Sequence, residues 1–397
     1  MDVKIIPEKL SGSLDAVSSK SDAHRTIIAS ALCDTSTDIY INNISEDISA
    51  TLRCVKAFGG DYKINDGFIT VYPFKKTSFA TADCGESGTT ARFILPVAAC
   101  FCENFTLYGS GRLPKRPFTE LVREMRNAGC EITSEHLPIT CKGTLDTKKE
   151  FFLEGNVSSQ YISGLLFAIA AKGNEGKITL TSQLESEGYV DMTVKTLEKF
   201  GITVVKGQGF YKVCEGKLKS PGKVFVEGDW SSAAFWYVAE FLGSNIKLSG
   251  LDKTSLQRDS KIASYLPLPD EVDAKDIPDI VPILCVAAAG MNKTTKFINT
   301  KRLKIKESDR AKTTCELIND LGGCAVYDDN TITILGKGFL KGGEVNSYND
   351  HRIAMSAAVA STICDSEVII KDAYCVKKSY PSFYEHFKKL GGNIADV

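Results

Sequence analysis

Residues 51–64 of the chain read TLRCVKAFGGDYKI, and the interpretation of the fold begins with this stretch. Its apolar residues recur at helical spacing and stop at Gly59, after which the sequence turns to an alternating, strand-like run. Glycine readily adopts the left-handed backbone that closes a helix. The stretch therefore predicts an amphipathic helix, a tight stop and then a strand.

The same pattern recurs four more times along the chain. It is found in LVREMRNAGCEIT, TVKTLEKFGITVV, TTCELINDLGGCAVY and FYEHFKKLGGNI, where the terminating glycines are Gly129, Gly201, Gly322 and Gly391. These glycines follow one another about every 70 residues, except for one interval of 121 residues between Gly201 and Gly322. The long interval predicts a sixth, degenerate copy, which we place at residues 255–267, SLQRDSKIASYLP.

Six units rich in strands and helices favour a two-domain protein with three units in each domain. The units are longer than solenoid repeats and have no solenoid consensus. A chain of 397 residues is also too long for one compact core. We expect the cut near EGDWSSAAFWYVAEFLG, where Gly228 and Asp229 precede a strongly apolar helix. The prediction is two similar α/β domains, each with helices enclosed by sheets.

The composition excludes several classes of function. Lys and Arg total 48 against 49 Asp and Glu, a net charge of -1, so the basic excess or block typical of nucleic-acid binders is missing. The thirteen cysteines lack metal or redox spacing, and the four histidines are unpaired. No stretch has a signal-peptide core or the length of a membrane span. We expect a cytoplasmic protein that uses no metal, nucleic acid or membrane.

Polar signatures with a basic residue stand where several helices are predicted to begin. Helix N-termini present unpaired N–H groups and a positive dipole end, which suit phosphates and carboxylates. Ser, Thr, Asp and Asn at such places are also ordinary caps, but caps alone do not require an adjacent cation each time. The signatures are SKS at 19–21 with Arg25, GESGTTAR at 85–92, KESDR at 306–310 and NDHR at 349–352.

Eight strings along the chain resemble, in the family order, the motif set of the EPSP synthase family of enolpyruvyl transferases. They are SSKSDAHR, GESGTTAR, RLPKRPF, SSQYISGLL, DIPDIVP, RLKIKESDR, NDHRIAM and KKSYPSFYE. The resemblance implies two domains, each an inverted α/β barrel of three βαβαββ units, which agrees with the repeat count. It also implies that the first strand joins the second half. The expected domains are 12–226, and 1–11 together with 227–397.

The resemblance implies a reaction between two anionic substrates in the cleft between the domains. The family moves the enolpyruvyl group of phosphoenolpyruvate onto the 5-hydroxyl of shikimate 3-phosphate by addition and then elimination. Implied contacts to shikimate 3-phosphate are Lys20, Ser21, Arg25, Ser158, Ser159, Gln160, Ser186, Asp279 and Lys306, with Tyr189 packed nearby. Implied contacts to phosphoenolpyruvate are Lys20, Gly88, Arg116, Gln160, Arg310, Arg352 and Lys378.

The implied catalytic residues are Asp279, Glu307, Lys378 and Lys20. Asp279 matches the group that accepts the hydroxyl proton, while Glu307 and Lys378 are candidates for proton exchange at the methylene carbon. The resemblance implies no cofactor and no metal, since Lys20 and the arginines can support phosphate departure. The resemblance also implies a monomer and, because Gly88 leaves room beside the phosphoenolpyruvate position, a target of glyphosate.

Three positions depart from the family pattern. Val17-Ser18 stands where many relatives have Pro-Gly, Glu86 where some have asparagine, and Arg302 where some have asparagine. An acid at position 86 would repel phosphoenolpyruvate unless it turned away or was paired.

Two alternative functions stay open at this point. The enolpyruvyl transferase acting on UDP-N-acetylglucosamine has Lys-Asn where this chain has Lys20-Ser21, and a loop cysteine that residues 109–117 lack. A non-catalytic anion-binding protein of the same fold would not need Asp279, Glu307 and Lys378 together. Phosphate release from phosphoenolpyruvate with shikimate 3-phosphate, or only with the sugar nucleotide, distinguishes the two transferases, and a non-catalytic protein would turn over neither.

Overall fold

The helix predicted from residues 51–64 runs from Glu46 to Ala57 in the computed structural model, which describes residues 1–397. All five predicted stop glycines have positive φ, from 79° at Gly322 to 97° at Gly129. This is the backbone region that disfavours side chains with a Cβ. The predicted helix stops are therefore confirmed.

Twelve α-helices alternate with twenty-two strands. The helices are α1 (Lys20–Ala31), α2 (Glu46–Ala57), α3 (Gly88–Phe101), α4 (Thr119–Asn127), α5 (Ser159–Lys172), α6 (Glu187–Lys199), α7 (Trp230–Phe241), α8 (Ile262–Tyr265), α9 (Val281–Ala289), α10 (Arg310–Asp320), α11 (His351–Ala360) and α12 (Phe383–Lys389). Five short 3-10 helices are Leu113–Lys115, Arg258–Lys261, Lys301–Ile305, Ser361–Ile363 and Ala373–Lys378.

The strands form six sheets. They are β1 (Val3–Ile6), β2 (Ser11–Asp15), β3 (Thr37–Tyr40), β4 (Asp61–Asn65), β5 (Phe68–Tyr72), β6 (Ala80–Asp83), β7 (Asn104–Tyr108), β8 (Glu131–Ile132), β9 (Ile139–Lys142), β10 (Phe151–Leu153), β11 (Gly176–Leu180), β12 (Val204–Gly207), β13 (Phe210–Val213), β14 (Lys223–Phe225), β15 (Asn245–Ser249), β16 (Glu271–Asp273), β17 (Thr294–Ile298), β18 (Ala325–Tyr327), β19 (Thr331–Leu335), β20 (Gly343–Asn346), β21 (Val368–Lys371) and β22 (Asn393–Asp396).

Five of the sheets share one design and the sixth is reduced. The four-stranded sheets are ordered β14-β3-β5-β4, β6-β7-β9-β8, β10-β11-β13-β12, β16-β17-β19-β18 and β20-β21-β1-β22. In each, the first pair of strands is parallel and the other pairs are antiparallel. The sixth sheet has only β15 and β2, and its region contains the four-residue helix α8. The predicted sixfold repeat with one degenerate copy is confirmed.

The chain divides into two units, which we call the central unit (Lys20–Val226) and the terminal unit (Met1–Ser19 with Glu227–Val397). We expected the first crossing after residue 11, and the structure corrects this boundary. Strand β2 pairs in parallel with β15 from Ser11 to Asp15, and Ser18 bridges Gly228. These backbone pairings hold residues 12–19 in the terminal unit, because their hydrogen-bond partners lie there.

Helices lie inside the units, as predicted. Every residue of α9 is buried, and α3 and α5 are buried along most of their length. Such helices are apolar all round because sheets or other helices cover every face. All thirteen cysteines are unbridged and ten are buried, as expected for small core residues. No helix has the length and apolarity that crossing a membrane requires.

Candidate active site

In the central unit, Lys20 opens helix α1 and has a fixed counter-ion. Its Nζ lies 2.7 Å from Asp47 Oδ2, and the two side chains are only 16% and 13% exposed. Asp47 lies in the first turn of α2, where Ser45 caps the helix through the N–H of Ile48. The sequence analysis missed Asp47, although an acid in the first helical turn is a common signal. The pair holds the Lys20 ammonium in one place.

Arg25 ties helix α1 to helix α6. Its Nε donates to Thr193 Oγ1 at 2.8 Å, Nη1 to the Ser21 carbonyl at 2.6 Å and Nη2 to the Tyr189 carbonyl at 2.7 Å. The guanidinium lies 5.2 Å from the centroid of the Phe93 ring. Arg25, Ser21 and Tyr189 are therefore neighbours, and the hydrogen bonds of Arg25 fix helix α1 against helix α6.

A buried hydrogen-bond chain connects helices α1, α2 and α3. His24 Nδ1 lies 2.6 Å from Thr51 Oγ1, which lies 2.7 Å from Thr90 Oγ1, and Thr90 in turn donates to Ser87 Oγ at 2.7 Å. Burial, with Lys20 and Arg25 nearby, holds the pKa of His24 well below its usual range. His24 is therefore neutral, and the chain joins α1 through α2 to the start of α3.

Gly88, the first residue of α3, lies under two guanidinium groups. A methyl group at this position would lie 2.6 Å from Arg92 Nη1 and 2.8 Å from Arg116 Nη1. Ser87 caps the helix by accepting from the N–H of Thr90. Two arginines at the positive end of a 14-residue helix form an anion-binding arrangement. The structure thus brings Gly88 and Arg116 together.

Arg92 lies beside the candidate site residues Gly88 and Gln160, although the sequence motifs did not single it out. It is 4% exposed, and its Nη1 donates to Gln160 Oε1 at 3.0 Å. Gln160 Nε2 donates to Thr89 Oγ1 at 2.9 Å, so the side chain of Gln160 is held at the start of α3. The available signal was position: Arg92 is four residues after Gly88 and so lies on the same face of α3.

The remaining predicted serines stand at two helix starts. Ser158 caps α5 by accepting from the N–H of Gln160 at 3.3 Å, and Ser159 is the first residue of that helix. Ser186 precedes α6 with φ of 56°, a left-handed conformation, and is 2% exposed. Non-glycine residues held in this conformation concentrate at functional sites.

In the terminal unit, Arg310 is the centre of a buried ion-pair network. The guanidinium is 1% exposed, and its three nitrogens contact Asp279 at 2.7 Å, Glu307 at 2.6 Å and Asp350 at 2.8 Å. Lys306 Nζ lies 3.4 Å from Asp279 Oδ1. Four predicted residues, Asp279, Lys306, Glu307 and Arg310, are therefore in direct contact. Asp350 was not predicted as a site residue.

The charges around Asp279 decide its protonation. Burial alone would favour the neutral acid, but Lys306, Arg310 and Arg352 outweigh it and hold the pKa of Asp279 well below its usual range. For Lys306, burial lowers the pKa and the attraction to Asp279 opposes that change. Asp279 is therefore a carboxylate at neutral pH, in contact with two cations.

Arg352 and Lys378 both lie at the start of helix α11. Arg352 is the second residue of this helix, and Lys378 is the last residue of the 3-10 helix Ala373–Lys378. Asp350 caps this helix by accepting from the N–H of Arg352 at 2.9 Å. The Arg352 side chain is 4% exposed, and its Nε and Nη1 are buried with no hydrogen-bond partner. Lys378 Nζ donates to the Asn349 carbonyl at 2.7 Å. Buried donors without a partner are costly, so this guanidinium would be stabilised by an anionic acceptor.

The three departures from the family pattern have local explanations. The carboxylate of Glu86 packs over Gly111, where an added Cβ would lie 2.2 Å from Glu86 Oε2. The Val17 carbonyl accepts from the N–H of Asp229 at 2.8 Å, which fixes this segment in the terminal unit. Arg302 acts electrostatically on Lys306. The structure has no group of three or more His, Cys, Asp or Glu side chains that could hold a metal ion.

Comparison with known proteins now identifies the family. The family model described as EPSP synthase (3-phosphoshikimate 1-carboxyvinyltransferase) matches residues 5–267 and 258–387. The chain is 38% identical to the 3-phosphoshikimate 1-carboxyvinyltransferase of Clostridium novyi (strain NT), over 99% of this chain and 98% of that one. It is 38% identical to a protein of the same name from Clostridium perfringens, over 98% of both chains.

The fold agrees with solved structures of the same family. The structure of EPSP synthase from Acinetobacter baumannii covers 100% of both chains with a TM-score of 0.82 at 22% sequence identity. The fold is thus that of the enolpyruvyl transferases, as expected from the repeats and the motifs. On the family model and the full-length relatives, the chain belongs to the EPSP synthase family.

Proposed function

We propose that this chain transfers the enolpyruvyl group of phosphoenolpyruvate to the 5-hydroxyl of shikimate 3-phosphate and releases phosphate, a step of the shikimate pathway that leads to chorismate and the aromatic amino acids. The observation that supports this best is Arg352, whose buried Nε and Nη1 lack a partner while neighbouring Arg310 contacts three carboxylates. An anionic substrate would supply the missing acceptors in the geometry that a guanidinium fork favours.

Shikimate 3-phosphate is assigned mainly to the central unit. The Lys20 ammonium and the hydroxyls at the starts of α5 and α6 suit a phosphorylated ring that carries hydroxyls of its own. Arg25 holds α1 and α6 together, so its loss would disturb Ser21 and Ser186 at once. The assigned contacts are Lys20, Ser21, Arg25, Ser158, Ser159, Gln160, Ser186, Asp279 and Lys306.

Phosphoenolpyruvate is assigned to cations that lie at several helix starts. At Gly88 the guanidinium groups of Arg92 and Arg116 lie at a helix start, where a phosphate or carboxylate is stabilised by the dipole as well. Arg352 offers its unpartnered nitrogens to another anionic group. The assigned contacts are Lys20, Gly88, Arg116, Gln160, Arg310, Arg352 and Lys378.

The proposed chemistry conserves protons between the two steps. In the addition, the 5-hydroxyl oxygen bonds to C2 of phosphoenolpyruvate, its proton passes to Asp279, and a proton from Glu307 or Lys378 goes to the methylene carbon. In the elimination, the bond from C2 to the phosphate oxygen breaks, the methyl group returns a proton to the acid that supplied it, and the proton held by Asp279 leaves with the phosphate. Lys20 and the arginines stabilise the departing phosphate.

Asp279 can act as a base only after the charge around it changes. Lys306 and Arg310 hold its pKa low in the structure, which makes it a weak proton acceptor. Anionic substrates that attract the same cations would weaken this effect and raise the proton affinity of Asp279. Substrate binding would therefore activate the base.

The test is phosphate release from phosphoenolpyruvate with shikimate 3-phosphate as acceptor, with product identified by mass. Turnover with this pair is expected. Turnover only with UDP-N-acetylglucosamine would assign the chain to the other enolpyruvyl transferase reaction. Binding of both substrates without turnover would favour a non-catalytic anion-binding protein.

We further expect a monomer located in the cytoplasm, inhibited by glyphosate in competition with phosphoenolpyruvate. The net charge of -1 supports neither a nucleic-acid partner nor an anionic membrane surface. Light scattering of the purified protein, cell fractionation and inhibition curves at several phosphoenolpyruvate concentrations test these three statements. A dimeric mass, a membrane fraction or non-competitive inhibition would contradict them in turn.

A further inference from the structure

A second buried carboxylate, Asp259, lies in the terminal unit and has no role in the chemistry above. It is 2% exposed and belongs to the 3-10 helix Arg258–Lys261 of the reduced sixth repeat. Its Oδ2 accepts a short hydrogen bond from Ser231 Oγ, and its Oδ1 is buried with no hydrogen-bond partner. A buried carboxylate oxygen without a donor is costly while the group is ionised.

Asp259 and Arg352 pack against the same face of helix α7. Ser231, which contacts Asp259, and Phe235, whose ring centroid lies 5.9 Å from the Arg352 guanidinium carbon, are four residues apart on this helix. Side chains at that spacing are neighbours, about 5–6 Å apart at Cβ. The two groups with unpartnered polar atoms, one a cation and the other a carboxyl, therefore lie against neighbouring positions of α7 and interact electrostatically.

The groups around Asp259 act on its charge in opposite directions. Burial and the nearby carboxylates of Asp279 and Asp229 raise the pKa of Asp259, to about 7, while Ser231 and Arg352 oppose this rise. Asp279 brings Lys306 and Arg310 into the same network. The charged residues that act on Asp259 from other elements are thus Asp229 before α7, Asp279 before α9 and Arg352 on α11, and its own helix also contains Arg258 and Lys261.

Given the enolpyruvyl transfer proposed above, on which this assignment depends, we propose that Asp259 is a positioning residue that sets the charge Arg352 offers to the substrate. While Asp259 holds a proton, it is neutral and does not compete with the anionic substrate for the Arg352 guanidinium. When Asp259 is ionised, it attracts the same guanidinium and competes with that substrate. The reduced repeat thus contributes a regulatory carboxyl to a site formed by the complete repeats.

The test compares pH profiles of the Michaelis constant for phosphoenolpyruvate between pH 5.5 and pH 8.5. In the wild type the constant should rise with pH as Asp259 ionises, by about tenfold, which corresponds to a coupling of one pKa unit. Asp259→Asn cannot ionise and should lack this rise. Substrate phosphates also titrate near neutrality, so the difference between the two profiles is the measured quantity.

A second variant gives the sign of the effect. Ser231→Ala removes the donor that favours the ionised form, so the rise should move to higher pH without disappearing. Ser264→Ala, at an exposed serine of the same unit, is the matched control and should keep the wild-type profile. Infrared difference spectra should contain a protonated carboxyl band that Asp259→Asn removes.

The outcomes separate this inference from the proposed function. A wild type inactive with both substrates at every pH would overturn the proposed function. An active wild type whose profile is unchanged in Asp259→Asn, apart from a uniform loss of kcat, would leave a structural role only and overturn this inference alone. A rise in the Michaelis constant that is equally large in Asp259→Asn and in the wild type would do the same.

Discussion

At the scale of single residues, the environment of Arg352 determines how its replacement is expected to act. Arg352→Ala should raise the Michaelis constant for phosphoenolpyruvate at least tenfold, because truncating one partner of a buried charge contact costs about 2–5 kcal/mol. Arg352→Lys should be intermediate, since an ammonium cannot form the same fork. Steady-state kinetics give both values. Lys337→Ala, at an exposed lysine of the same unit, should change nothing, and wild-type constants in Arg352→Ala would place Arg352 outside the site.

Position 88 has no room for a side chain, because the ends of two arginine side chains lie close to where a Cβ would be. In Gly88→Ala the new methyl group would push the ends of Arg92 and Arg116 aside, and flexible ends can move without unfolding the helix. The melting temperature should therefore stay close to that of the wild type, while the Michaelis constant for phosphoenolpyruvate rises. Glyphosate inhibition should weaken in parallel.

The matched control for this change is Gly216→Ala, where the nearest atom to an added Cβ is Ile202 Cδ1 at 3.2 Å. That variant should keep wild-type kinetics and inhibition. Equal kinetics in Gly88→Ala and in the wild type would mean that the two guanidinium groups do not bind substrate.

Asp259 also makes stability depend on pH in a defined direction. Its pKa rises from 3.8 to about 7 in the folded protein, so the folded state binds this proton more tightly than the unfolded chain does. The resulting stabilisation is complete below about pH 4 and is lost as the pH rises through about 7. The free energy of unfolding of the wild type, measured relative to that of Asp259→Asn, should therefore fall by on the order of 2–4 kcal/mol between pH 4.5 and pH 8. Urea unfolding at several pH values measures it, and a difference independent of pH would contradict the shift.

At the scale of elements, most of the candidate site residues lie at the starts of helices. Asp350 connects the starts of α10 and α11. It is fully buried, caps α11 through the N–H of Arg352, and accepts from Ser308 and from Arg310 just at the start of α10. Asp350→Asn would leave the Arg310 charge only partly compensated, which costs about 3–5 kcal/mol when one partner of a buried pair is removed. A lower melting temperature and a lower kcat are expected together.

Asp329→Asn is the matched control for that change. Asp329 pairs with Lys304 at 2.6 Å but its side chain is 98% exposed, and exposed pairs contribute little to stability. Its melting temperature and kcat should equal those of the wild type. If both variants behaved alike, the buried network would not organise the helix starts.

The helix starts themselves were predictable from the sequence, but not all of their side chains. Cap residues and stop glycines follow local rules, and Ser45, Ser87, Ser158 and Asp350 all act as caps. Arg92 and Asp47 escaped prediction because their roles depend on partners in other helices. Asp47 pairs with Lys20, 27 residues away, and Arg92 reaches Gln160, 68 residues away.

At the scale of the whole molecule, the first strand completes a sheet of the terminal unit. Strand β1 lies between β21 and β22, with Ile5 1% exposed and Ile6 48% exposed. Ile5→Ala should cost about 2–5 kcal/mol because it empties a buried site, whereas Ile6→Ala should stay within about 0.5 kcal/mol of the wild type. Thermal unfolding measures both, and equal losses would mean that β1 is not part of the core.

Two strands exchange partners where the chain passes between the units. Strand β2, at the beginning of the first repeat in the chain, pairs with β15 of the reduced repeat. Strand β14, at the beginning of the reduced repeat, pairs with β3 of the first repeat. In the complete repeats the corresponding parallel pair is internal, as in β6 with β7. This exchange explains why residues 12–19 belong to the terminal unit, since β2 satisfies its backbone hydrogen bonds there.

The repeated helix, glycine and strand pattern was sufficient to predict six units, their helix stops and the α/β class, because amphipathic periodicity and left-handed glycines are local properties. The order of the motifs identified the family. Strand exchange between β2 and β15, the network around Arg310 and the placement of Asp259 beside Arg352 follow from contacts between residues far apart in the chain. Such contacts arise only when distant segments of one unit fold against each other, and no local pattern encodes them.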